Sequence, residues 1–98
     1  MKIKRNTISR SKYNKYRKEL ISIAELSGSI CFIEIMLTKK QKCWGNVKNE
    51  MFGIQNKLDA KLVFYYSRKN DLFNQRLIEF AKAEMLNCKN VIAKYQTP

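Results

Sequence analysis

Nine consecutive residues, Ser29 to Leu37 (SICFIEIML), constrain the fold more than any other stretch. Read with a period of two, Cys31, Ile33, Ile35 and Leu37 share one face, and Ile30, Phe32, Glu34 and Met36 the other. Both faces are mostly apolar, the pattern of a central strand covered on two sides. Glu34 is the exception and reads as a strand-edge carboxylate that pairs with a neighbouring lysine. Lys61 to Ser67 (KLVFYYS), rich in β-branched and aromatic residues, predicts another strand. Cys43 to Lys48 is a candidate return strand, and Val91 to Tyr95 a last short one. Residues 49–59 read as a turn or irregular edge strand, because Gly53 breaks any long helix there.

Two helices complete the expected layer. Tyr13, Tyr16, Leu20, Ile23 and Ala24, and Ser27 recur at helical spacing, so a first helix is predicted over 10–27. Ser9 or Ser11 caps its start and Gly28 supplies a left-handed stop. Asn70 or Asp71 caps a second helix whose core stripe is Phe73, Leu77, Phe80 and Ala81, flanked by Leu72 and Met85, with Asn87 as its stop. The predicted fold class is α+β, with two helices on one face of a small antiparallel sheet of three or four strands, in the order α-β-β-β-α, with or without a final β. Residues 1–8 show no periodicity and read as a flexible basic arm, leaving 9–98 as one domain.

Charge narrows the partner. Twenty Lys and Arg stand against eight Asp and Glu, a net +12 over 98 residues. The ends carry the excess: residues 1–20 hold eight basic residues and one acid, whereas 21–60 hold five and four. Such a charge repels itself on folding, and a polyanion relieves it. Nucleic acid or a nucleoprotein is the first expectation; an anionic membrane surface or an acidic protein surface follows. No apolar run approaches the ~20 residues of a membrane span, and the start of the chain lacks the apolar core of an export signal. The expected location is the cytoplasm.

The chain has no histidine, which removes Ser-His-Asp and Cys-His nucleophiles, histidine metal sites and histidine nucleases together. Cys31, Cys43 and Cys88 form no CxxC pair and read as reduced thiols, two of them in the core. The acids show no metal-site spacing and the glycines no phosphate loop, so no cofactor and no metal is expected.

Three basic segments are the candidate site: Lys12, Lys15, Arg17 and Lys18 on the first helix; Lys39, Lys40 and Lys42 in a turn; and Arg68 and Lys69 before the second helix, where free N–H groups favour anions. The predicted layer brings them to one side. Trp44, beside the basic turn, is the aromatic best placed to stack on a base; its other reading is a half-buried ring closing the sheet. Tyr65, Tyr66, Arg68 and Lys69 are also the residues a histidine-free toxin RNase would set around a scissile phosphate.

The layout over residues 10–86, with Arg68-Lys69-Asn70 opening the second helix, resembles the double-stranded RNA-binding domain. That resemblance implies contacts from the first helix, the first hairpin loop and the start of the second helix. The opening SRSKYNKYRKEL is similar to the basic starts of some phage-encoded inhibitors of CRISPR nucleases. The expected function is non-catalytic binding of nucleic acid, or of a nucleoprotein, through a Lys/Arg-rich face. A phage or mobile-element factor that blocks a host nucleic-acid enzyme is the alternative, and a toxin RNase a lesser one.

Overall fold

The computed structural model describes residues 9–96 and folds them into three helices: α1 (Arg10–Thr38), α2 (Trp44–Tyr66) and α3 (Leu72–Gln96). No strand occurs among the described residues, so the α+β expectation is overturned. The segments read as strands, 29–37, 43–48, 61–67 and 91–95, are stretches of these helices or of their ends. The likeness in layout to the double-stranded RNA-binding domain rested on that sheet and goes with it. The predicted basic arm, 1–8, lies outside the described residues.

The seam spacing explains the helices. On α1, Ile23, Ile30 and Leu37 recur every seven residues, with Ile33 and the half-buried Leu26 between them. On α2, Val47, Met51, Ile54 and Leu58 alternate steps of four and three, and Tyr65 follows seven residues after Leu58. On α3, Ile78, Ala81, Met85, Cys88 and Ile92 repeat the pattern. Alternating three and four is how a helix keeps one stripe on its neighbours in a bundle. The three stripes merge into one buried cluster. α3 buries two further residues, Leu77 and Val91, whereas α1, the longest helix, buries only Ile23, Ile30, Ile33 and Leu37.

The ends of the helices correct the predicted stops. Ser9 caps α1, its hydroxyl accepting from the Lys12 amide at 3.0 Å. Gly28 does not end the helix; no glycine among the described residues has a positive φ. The stop falls at Lys39 and Lys40. Lys40 takes the left-handed conformation at φ 60°, its amide donates to Leu37 at 3.1 Å, and the Gln41 amide donates to Met36 at 2.9 Å. This is the Schellman arrangement, with a lysine where glycine is usual. Asp71 opens α3 as expected, its carboxylate accepting from the Phe73 amide at 2.8 Å. Asn87 lies within α3 and stops nothing.

Side-chain expectations shift accordingly. Leu77, Ala81 and Met85 are core, Phe73 and Phe80 are half-buried, and Leu72 is exposed. Cys88 alone of the cysteines is buried, and burial pushes its thiol up to about 11; Cys31 and Cys43 are exposed. Contrary to the expectation that no apolar run approaches a membrane span, α1 is by length and composition apolar enough to cross one, and only 22% of its apolar window is buried in the bundle.

Candidate nucleic-acid interface at one end of the bundle

The up-down-up path of the chain sets the start of α1 beside the turn between α2 and α3. The turn between α1 and α2 lies at the other end. Lys15 and Lys39 are separated by about 36 Å along α1, at 1.5 Å per residue. The structure therefore brings together two of the three predicted basic segments. Lys12, Lys15, Arg17 and Lys18 share one end with Arg68 and Lys69. Lys39, Lys40, Lys42 and Trp44 occupy the opposite end.

The first end is built by short-range bonds. The Ser67 hydroxyl donates to the Phe64 carbonyl at 2.6 Å, and the Asn74 amide side chain donates to the Arg68 carbonyl at 3.2 Å. These hold the Arg68 guanidinium 4.8 Å from the centre of the Phe64 ring. Lys15 Nζ approaches the same ring at 5.9 Å. Phe64 is 41% exposed, so an aromatic ring flanked by two cations faces solvent. Tyr16 stacks on Phe73 with centroids 4.2 Å apart, closing the wall between α1 and α3. Between these side chains lies an open cleft of about 170 Å³, lined also by Lys12, Glu19 and Asp71.

Both carboxylates of the cleft are already engaged. Lys12 pairs with Asp71 at 2.8 Å, and that bond holds the Asp71 carboxyl below its usual value. Glu19 accepts from Lys61 at 3.1 Å and from the Tyr65 hydroxyl. Burial alone would raise the Glu19 carboxyl, but the Tyr65 and Lys61 hydrogen bonds together with the charges of Lys61 and Lys15 outweigh it and leave it lowered. Burial and the bond to Glu19 raise the Tyr65 hydroxyl. No carboxylate lies within 4.0 Å of the charged groups of Arg10, Lys15, Arg17, Lys18, Arg68 or Lys69 among the described residues.

This geometry bears on the RNase arrangement. Tyr65 is buried and its hydroxyl is committed to Glu19. Tyr66 is exposed one residue further round α2. Among the described residues, no three acids or cysteines gather as a metal site would need.

At the opposite end Trp44 is half-buried, edge-on to Phe52 with centroids 6.3 Å apart. It packs against the core of a helical bundle, not at the end of a sheet. The Thr38 and Tyr95 hydroxyls meet at 2.9 Å and tie α1 to the end of α3. Lys42 Nζ lies 5.2 Å over Phe32.

Sequence reasoning missed Phe64 and Glu19. With Leu58 and Tyr65 placed on a helical seam, Phe64 falls just off it and turns outward. Reading 61–67 as a strand hid that signal. Comparison with protein-family models, with curated proteins and with solved structures returns no match.

Proposed function

We propose that this chain binds nucleic acid without catalysis, through the basic end of its bundle. The observation that carries this reading is that, among the described residues, Arg10, Arg17, Lys18, Arg68 and Lys69 form no ion pair while Asp71 and Glu19 are engaged by Lys12, Lys61 and Tyr65. Unpaired lysines and arginines of this kind neutralise phosphates and release the counterions condensed on them. Phe64 adds a ring on which an unpaired base can stack, between Lys15 and Arg68. Phosphate contacts carry no sequence information, so binding is expected to be nearly indifferent to sequence.

The test is charge reversal at the two ends, read by fluorescence anisotropy with labelled oligonucleotides. Arg68→Glu with Lys69→Glu should weaken binding far more than Lys89→Glu with Lys94→Glu, an equal change of charge outside the site. Equal losses would mean that the charge acts diffusely. A partner retained from a lysate after nuclease treatment, with no oligonucleotide binding, would replace this reading by one of protein docking.

A further inference from the structure

From Ile21 to Ile35 the outward face of α1 is used neither by the core nor by the basic end, which it borders at Arg17 and Lys18. Ile21, Phe32 and Ile35 are 51%, 53% and 44% exposed, and Ala24, Gly28 and Cys31 between them are exposed too. The steps from 21 to 24, 28, 32 and 35 trace one stripe opposite Ile23, Ile30, Ile33 and Leu37. From Leu20 to Thr38 the only charges are Glu25, at the margin of the stripe, and Glu34, which faces Lys94 at 3.9 Å. The helix is apolar on nearly every side, although the bundle covers only one.

Cations close both ends of this stripe. Arg17 and Lys18 precede it, and Lys39, Lys40 and Lys42 follow it, with Lys42 Nζ lying over Phe32. We propose that this face of α1 docks on an anionic bilayer surface, its aliphatic and aromatic side chains entering the headgroup boundary and its terminal lysines and arginines meeting lipid phosphates. An apolar centre with basic flanks is what an interfacial helix presents to anionic lipid. A second copy of the chain fits less well. Antiparallel pairing about Gly28 sets Arg17 against Lys39, and parallel pairing sets each cation against itself, on chains that each carry +12. Full insertion would take Ile23, Ile30, Ile33 and Leu37 out of the core and carry Glu25 and Glu34 into hydrocarbon, so the helix lies on the bilayer.

The experiment is co-sedimentation of the whole chain with phosphatidylcholine vesicles, with and without phosphatidylglycerol. The wild-type chain should pellet with the anionic vesicles and stay in solution with the neutral ones. Phe32→Ser with Ile35→Ser changes only outward residues, so circular dichroism and Tm should be kept while vesicle partitioning falls about tenfold or more. The same variant should bind oligonucleotides as wild type does, which separates this proposal from the proposed function. Undiminished pelleting of a folded Phe32/Ile35 variant would overturn the proposal, as would equal binding to neutral vesicles. Sedimentation equilibrium without lipid gives a further check: a wild-type dimer that becomes monomeric in the variant would assign the face to self-association instead.

Discussion

The Tyr65 hydroxyl donates a hydrogen bond to the Glu19 carboxylate across 46 residues of sequence, joining the last turn of α2 to the first half of α1. Lys61 reaches the same oxygen at 3.1 Å from one turn earlier on α2. The apolar seam of the bundle thus ends in a small polar layer, and beyond it begins the basic end. The layer fixes how the start of α1 sits on α2. It also commits a carboxylate that would otherwise lie among the cations.

Tyr65→Phe keeps the buried ring and removes only the donor. The Glu19 carboxylate then keeps only the Lys61 hydrogen bond and the charges of Lys61 and Lys15. Stability should fall by about 1.5–3 kcal/mol, the range for a hydrogen bond to a charged group, measured as a lower urea midpoint at unchanged slope. An unchanged midpoint would mean that the bond contributes nothing net.

Acid should weaken the fold through the same carboxylate. Glu19 is held below its ordinary value of 4.5 and Asp71 below 3.8. The unfolded chain therefore takes up these protons first as pH drops. Their contribution is complete above the unfolded values and is lost as pH falls through the lower, folded ones. Urea midpoints should be flat from neutral pH down to about 5 and decline below it. Glu19→Gln should flatten part of the decline, leaving the share due to Asp71. A decline as steep as that of the wild type would remove Glu19 from the account.

Gly28→Ala should stabilise the protein by about 0.5–1 kcal/mol. Gly28 lies inside α1 without a positive φ, and a Cβ there meets nothing within 4 Å. Thermal unfolding reads the change, and a lower Tm would contradict a continuous α1.

Lys40→Gly should be more stable than Lys40→Ala by about 1 kcal/mol, since both lose the charge but only glycine enters the left-handed region without strain. Equal stabilities would mean that φ at this position is not positive in solution.

The two predictions at Gly28 and Lys40 also show why the fold was only partly legible. The predicted start of α1 at Ser9 and the cap at Asp71 hold, because each rests on a local hydrogen bond that the residue type itself signals. The helix stop was sought at glycine, yet the chain turns at a lysine, which no propensity marks. With a helix end at Gly28, Ser29–Leu37 stands as a separate segment whose apolar run fits a period of two as readily as a helical one. The β-branched Ile30, Ile33 and Ile35 tilted the choice towards a strand. Packing reversed it, because Ile30, Ile33 and Leu37 continue the seam that starts at Ile23. The basic segments were readable from composition alone. Their separation to two ends depends on helix length, which the strand reading had cut short.

The salt dependence of oligonucleotide binding tests the central claim most directly. With about six phosphates neutralised at the basic end, the log–log slope against salt for duplex should be about −5, from about 0.9 per phosphate. Reversing Arg17, Lys18, Arg68 and Lys69 to Glu should flatten that slope to about −2, each lost contact removing about 0.9. Reversing Lys39, Lys40 and Lys42, at the far end of α1, should leave the slope near its wild-type value while lowering affinity only through net charge. Slopes that fall alike for the two sets, in proportion to the charge removed, would contradict a defined interface at this end of the bundle.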